Sequence, residues 1–254
     1  MEANREKVIA VVGPTCTGKS ECALWLAREI GGEIVNADSM QVYKYFDIGS
    51  AKPGVKVRSE IPHHLIDIVE PREEFNGALF KEAAVYEELK QIDPIYASKI
   101  SPNDRIRVVR ALEVYYVSGM TMSEWREQHG FREQRYDAYK VGLKGERGEL
   151  YEKINARVDS MLQAGWVQEV KDLLEAGYPS DLKPFLSIGY RDILLYLSGA
   201  LGHAEMVTKI KQETRHYAKR QTTWFCKEKD LAWFEYPEDR GEIKEGVTQF
   251  LQRN

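Results

Sequence analysis

An α/β fold, with a parallel sheet flanked by helices and a helical insertion, is predicted by three features of the 254-residue sequence. The first is a strand, loop, helix, strand succession at the start of the chain, which predicts parallel strands joined by a right-handed crossover. The second is a long middle stretch in which apolar residues recur at helical spacing. The third is a return of short β-branched or aromatic runs later on, at 139–143 and 231–236.

The first strand is read in Lys7 to Val12 (KVIAVV), a β-branched run that ends at Gly13. Ser20 to Ile30 is predicted helical and is stopped by Gly31-Gly32. Glu33 to Ala37 is the second strand, ending at Asp38-Ser39. Gly49, Pro53, Gly54 and Pro62 punctuate 41–62, which is expected to be mostly loop. Leu65 to Val69 is a third candidate strand. Beyond Asn76, Leu79, Ala83, Tyr86 and Leu89 share one helical face, as do Val108, Leu112, Tyr115 and Tyr116, with Gly119 as a stop. Thr121-Met122-Ser123-Glu124 has the form of a capping box. Ile154, Val158, Met161 and Leu162 mark a further helix, and Glu205 to Phe225 a long last one. The division expected is a core, 1–76; a helical insertion and RNA-binding region, 77–136; and the rest of the core with a basic C-terminal helix, 137–254.

Composition sets limits. Apolar residues make up 43% and charged residues 30%, ordinary for a globular protein. The charged N-terminus lacks the apolar stretch of a signal peptide, so a cytoplasmic protein is expected. The three cysteines form no C-x-x-C pair, which argues against a disulfide framework or zinc cage. A net charge of −4 excludes a globally basic nucleic-acid binder. A local patch remains possible, because residues 209–229 hold seven Lys or Arg and two Glu.

Gly13-Pro14-Thr15-Cys16-Thr17-Gly18-Lys19-Ser20 fits G-x-x-x-x-G-K-[ST] and lies between a strand and a helix, where that pattern has meaning. Its amides can surround a diphosphate, the helix N-terminus adds positive potential, Lys19 adds a mobile charge, and Ser20 can join the shell of a Mg²⁺ ion. The motif specifies a diphosphate, and ATP, GTP and a prenyl diphosphate all offer one. Asp38 follows the second strand, at the carboxyl end where ligands of open parallel sheets sit. It can bind metal or take a proton; the plainer alternatives are a helix cap or a solvated loop acid. Adjacent His63 and His64 point apart on a strand and are not read as metal ligands.

The blocks Gly13-Pro14-Thr15, Gly18-Lys19-Ser20, Asn36 to Tyr43, Asp47 to Pro53 and Pro62 to Asp67 come in an order that resembles bacterial tRNA dimethylallyltransferases. Ser101 to Asp104, Arg107 to Glu113, Ser187 to Arg191 and Thr214 to Phe225 continue it. The resemblance implies a P-loop NTPase-like core that holds dimethylallyl diphosphate with Mg²⁺. It implies transfer of the prenyl group to N6 of the adenosine 3′-adjacent to the anticodon of tRNA, with the target base flipped out. Asp38 matches the general base, and Lys19 and Ser20 the leaving-group machinery. Asp38, Ser39, Met40 and Gln41 match a block that contacts the target nucleotide. Arg107 and Arg110 match tRNA contacts. Arg191 matches a diphosphate-binding position, and Arg215, Lys219, Arg220 and Gln221 match RNA-binding ones. Lys211, Arg215 and Lys219 recur every four residues as a basic stripe. Solvated surface charge is the plain reading of these arginines and of the stripe. A monomer is expected.

One block departs from the family: the Gly-Gly-Thr-Gly-Leu-Tyr sequence that ends a core strand is absent after Asn76. Either residues are missing from the sequence at that junction, or a strand has been lost. The cost to both neighbouring strands favours the first. Two other functions compete: a small-molecule or nucleotide kinase on the same loop, and a non-catalytic RNA-binding protein.

Overall fold

The computed structural model describes residues 6–72, 85–101, 104–129 and 136–253. The junction at Asn76, with Leu79 and Ala83 of the expected helical face, lies outside them. The chain divides into two compact units, one from Lys7–Glu73 and Ala138–Asn254, the other from Met1–Glu6 and Glu74–Asp137.

The larger unit is α/β. Strand β1 (Glu6–Val12) leads through the glycine loop into α1 (Lys19–Ile30), then β2 (Ile34–Val35), α2 (Val55–Glu60) and β3 (His63–His64). In the smaller unit come α3 (Val85–Ile92), α4 (Pro94–Ala97), α5 (Arg105–Ser118) and α6 (Met122–His129). The larger unit resumes with β4 (Tyr136–Lys144), α7 (Arg147–Gln163), α8 (Trp166–Glu175), a 3-10 turn (Lys183–Leu186) and α9 (Tyr190–Leu197). It ends with α10 (His203–Phe225), β5 (Leu231–Glu235) and α11 (Arg240–Gln252).

Two sheets are formed among the described residues, one in the order β1-β4-β5 and one of β2 with β3. β4 and β5 run parallel, with Lys140 opposite Leu231 and Lys144 opposite Glu235. β2 and β3 are parallel too, Ile34 opposite His63 and Val35 opposite His64. Val141, Gly142 and Leu143 are all buried, as expected of a central strand covered on both faces. Val141 and Leu143 pack with Cys22 and Leu26 of α1 and with Ile243 and Val247 of α11.

The third strand is much shorter than its expected Leu65–Val69. Leu65 (φ 62) and Asp67 (φ 56) adopt left-handed backbone conformations, which no extended strand tolerates. Asp67 is drawn aside by its own ion pairs, Oδ1 to Lys52 Nζ at 2.6 Å and Oδ2 to Arg58 Nη1 at 2.5 Å. Only an isolated bridge, Tyr43 with Val69, remains of the pairing beyond it. The 41–62 stretch is mostly loop, as expected, and contains the short α2.

A second core lies under α7 to α10. Phe46 is fully buried, with its ring centroid 5.1 Å from that of Phe185 and 4.9 Å from that of Tyr190. α10 packs along α7 and α9, and α8 bridges the same two. The smaller unit has its own core around Leu89, Val108 and Leu112. Its capping box is reciprocal: Thr121 N donates to Glu124 Oε2 at 2.7 Å and Glu124 N to Thr121 Oγ1 at 3.0 Å. Buried Asp93 accepts from Tyr96 N and from both the amide and hydroxyl of Ser123, tying α4 to the start of α6. No helix among the described residues is long and apolar enough to cross a membrane.

Phe46→Ala should cost about 3–5 kcal/mol, the range for truncating a buried aromatic. Denaturant unfolding of the two proteins measures it, and a change below one kcal/mol would contradict the assigned core.

Candidate active site

The phosphate loop is shaped by two glycines. Gly13 has φ 145 and lies so near the sheet that a Cβ there would fall 2.4 Å from the Leu143 carbonyl oxygen. Gly18 has φ 85 and caps α1, where a Cβ would meet the Tyr236 ring at 3.0 Å. Cys16 takes the left-handed region (φ 64) between them. Inside the loop, Thr17 Oγ1 and Lys19 Nζ both donate to the Pro14 carbonyl, at 2.9 and 2.6 Å. The Thr15 amide donates to Gln221 Oε1 at 2.8 Å, so α10 supports the loop from outside. The sequence assigned Gln221 to RNA; the structure joins it to the phosphate loop. Ser20 is exposed at the start of α1.

Lys19 is the electrostatic centre. Burial above all, and then the Arg157 guanidinium, push its pKa from 10.5 down to about 8, while Cys16 and Asp38 pull it back up. Arg157, on α7, also donates to Cys16 Sγ at 3.8 Å. It is a second cation at the loop that no sequence motif marked. Only its i+3 spacing from the buried Ile154 hinted at which face of α7 it occupies.

Asp38 leaves β2 in an Asx turn. Its Oδ1 accepts from Met40 N at 2.7 Å and more weakly from Gln41 N at 3.4 Å, while its own amide donates to Asn36 Oδ1. Its cap-like geometry and its candidate catalytic position are therefore compatible. One oxygen is committed to the turn, and Oδ2 has no hydrogen bond among the described residues. The side chain is exposed.

These pieces share one cavity of about 590 Å³. Gly13, Lys19 and Ser20 line it from the phosphate loop, and Asp38, Ser39 and Gln41 from the turn after β2. Tyr217, Gln221 and Phe225 line it from successive turns of α10, and Val11, Leu24 and Ile34 give apolar walls. Val11 and Val12 of β1 face it on one side and Ile34 and Val35 of β2 on the other, where the two sheets are not joined.

Other expected site residues lie elsewhere. The Met40 side chain packs against the core around Phe46 instead of lining the cavity. Arg191 is paired with Glu213 of α10 and is not among the lining residues, because α9 aims it along the helix pair. Lys211 binds Asp159 at 2.6 Å, and Arg215 donates to Asn155 Oδ1 at 2.6 Å, so two members of the basic stripe serve the α7–α10 contact. Lys219 and Arg220 are exposed on α10 and border a shallow hollow with His216 and Thr223. In the smaller unit Arg107 and Arg110 are both exposed on α5, and Arg107 Nε lies 3.4 Å from Asp104 Oδ2. His63 and His64 diverge as expected, to the Ile61 carbonyl and to Glu33.

The sequence also passed over Lys52, whose side chain is 2% exposed. It reaches Asp47 and Asp67 at 2.6 Å and the Tyr43 carbonyl at 2.7 Å, closing the segment that carries the cavity's turn.

Comparison with known proteins decides the family. The IPP transferase family pattern matches residues 41–85 and 80–228, and an isopentenyl transferase pattern matches 6–62. A protein named tRNA dimethylallyltransferase 1 from Citrifermentans bemidjiense is 41% identical, covering 96% of this chain and 97% of its own. The chain belongs to the IPP transferase family. A tRNA dimethylallyltransferase 2 from Geotalea daltonii is 39% identical over 97% of this chain and 93% of its own. A crystal structure of a tRNA isopentenylpyrophosphate transferase from Bacillus halodurans superposes with a TM-score of 0.70 at 30% identity, covering 98% and 97% of the two chains. Membership in this family of enzymes leaves the kinase and non-catalytic readings without support.

The same comparison bears on the Asn76 junction. The sequence is continuous there. The Geotalea alignment runs over 303 positions against a chain of 254 residues, so the relative carries residues with no counterpart here. The family pattern matches in two stretches that overlap at 80–85, near the junction. The block is absent from this IPP transferase, and β1 has no described partner on the side away from β4.

Because the pKa of Lys19 is lowered, its charged form is lost as pH rises through about 8. Affinity for an alkyl diphosphate, measured by calorimetry, should fall across that range. Lys19→Arg, charged throughout, should show no such fall; the same fall in both proteins would contradict the assignment.

Proposed function

We propose that this IPP transferase moves the dimethylallyl group of dimethylallyl diphosphate to N6 of the adenosine 3′-adjacent to the anticodon of tRNA, releasing diphosphate. One observation carries the reading. The phosphate loop with its lysine, a carboxylate with one oxygen unbonded among the described residues, and apolar walls open into the same cavity. The names of the relatives, tRNA dimethylallyltransferases, support the choice of donor and acceptor.

The chemistry follows from the residues. The loop amides and Lys19 receive the diphosphate, and the apolar walls receive the five-carbon chain. The adenine amine is a poor nucleophile, so losing its proton as the new bond forms helps the reaction. Asp38 accepts that proton on Oδ2 while Oδ1 stays fixed by the Met40 amide. The N6–carbon bond forms as the carbon–oxygen bond to diphosphate breaks, and Lys19 and Arg157 stabilise the charge that develops on the leaving group. Gln41, Ser39 and the α10 residues surround the base, and Arg107, Arg110, Lys219 and Arg220 are exposed for the RNA backbone.

Mg²⁺ fits the site in one manner only. Among the described residues no group of three His, Cys, Asp or Glu could hold a metal. An ion carried largely by diphosphate oxygens needs as little as one protein oxygen, and Ser20 lines the cavity, leaving Asp38 Oδ2 for the proton. Bound there, Mg²⁺ would neutralise charge on the diphosphate. We take the enzyme to act as a monomer in the cytoplasm.

Label from radiolabelled dimethylallyl diphosphate should appear in unmodified tRNA when Mg²⁺ is present. Asp38→Asn should lower kcat by about 10²–10⁴, the usual worth of a general base, with tRNA affinity retained. No label in RNA with the wild type refutes the function, and near-wild-type turnover by Asp38→Asn refutes the role of Asp38.

A further inference from the structure

Gln41 is held by its own amide nitrogen. Nε2 donates to the Ser50 carbonyl at 3.0 Å and the Ala51 carbonyl at 3.3 Å. Both neighbours are acceptors, so the amide can be oriented only one way, with its NH₂ on the turn. Oε1 is left without a partner among the described residues, on a side chain that lines the cavity.

The carbonyls that fix Gln41 belong to the turn 47–52, which is strained at Ala51 (φ 52) and closed by Ala51 N to Ile48 O and Lys52 N to Asp47 O. A single carboxylate from α8 gathers this turn. Glu169 Oε2 accepts from Asp47 N at 2.9 Å and Ile48 N at 2.7 Å. Its Oε1 accepts from Gly49 N at 3.3 Å and from the Tyr190 hydroxyl at 2.6 Å. Gly49 is pressed onto the same support, since a Cβ there would come within 2.1 Å of Trp166 Nε1 and 2.4 Å of Tyr190 Cε2.

We infer that Glu169 is a positioning residue which, through the turn 47–51, holds Gln41 with its carbonyl oxygen facing the cavity, so that the acceptor base is selected by its exocyclic amine. An amide oxygen accepts from the N6 of adenine and opposes the oxygen that a 6-oxopurine carries at the same place. The inference rests on the proposed function, in which adenosine is the acceptor. A general stapling role is covered by other contacts. Lys52 anchors the turn's far end on Tyr43, Asp47 and Asp67 without using Glu169. Loss of the Glu169 carboxylate therefore loosens Gln41 more than the fold.

The test uses anticodon stem-loops carrying adenosine or inosine at the target position. Transfer from dimethylallyl diphosphate is measured to the first, and competitive inhibition by the second. Glu169→Gln should lower kcat/KM for the adenosine stem-loop about tenfold and leave the donor KM unchanged, and Gln41→Ala should do the same. The double variant should be no worse than Gln41→Ala alone, because both changes remove one coupled element. In each variant the preference for adenosine over inosine should collapse. Effects that multiply in the double variant, or a preference kept by Glu169→Gln, overturn the positioning role. Should Glu169→Gln fail to fold, Glu169→Asp retains the charge with a shorter reach; it should weaken the preference, and an unchanged preference overturns the role. A wild type that transfers nothing to RNA fails at the earlier step and takes this inference with it.

Discussion

Position 13 has no room for a side chain, because the backbone there passes close against the Leu143 carbonyl. Leu143 is itself fully buried among α1, β5 and α11, so neither side of the contact can yield. The approach fixes where the chain leaves β1 and therefore where α1 begins. Everything chemical about the site is downstream of it. In the proposed function the loop amides, the partly desolvated Lys19 and the helix N-terminus meet one anion where the loop leaves the sheet. The cavity then needs only the turn after β2 to bring Asp38 to the opposite wall.

That turn is held by charge. Lys52 is almost wholly buried yet touches two carboxylates, and Glu169 collects three successive amides from the other side. Only the Lys52 end of these contacts is deeply buried, so removing a carboxylate from it leaves the ammonium stranded, whereas the Glu169 carboxylate meets neutral amides and the Tyr190 hydroxyl. The exposed cations of α10 obey different rules, since exposed ion pairs are worth little and are screened by salt. Helix α10 is accordingly two-sided. Lys211 and Arg215 hold it to α7, Gln221 supports the phosphate loop, and Lys219 and Arg220 stay exposed.

Much of this was legible in the sequence. The phosphate loop, α1, α5, α7, α10, β4, β5 and the capping box of α6 could be read because each is specified by local pattern: a motif, a period or a cap. The weak points were non-local. The third strand looked continuous in its apolar run, yet Asp67 turns away to meet Lys52 and Arg58, partners that no periodicity reveals. Helices α8, α9 and α11 went unread. The resemblance placed Met40 in a substrate-contacting block, and its side chain packs against the core around Phe46. Glu169 and Arg157 act on segments more than a hundred residues away and carry no motif. The Gly-Gly-Thr-Gly-Leu-Tyr block was visibly missing after Asn76, and among the described residues β1 pairs only with β4.

A crystal structure with an unreactive thiolo analogue of dimethylallyl diphosphate tests the central claim most directly. The diphosphate should lie against the amides of residues 13–20 with Lys19 Nζ upon it, and the prenyl carbon should face Asp38 Oδ2 across the cavity. An anion seated anywhere else, or an Asp38 turned out of the cavity in that complex, would contradict the account.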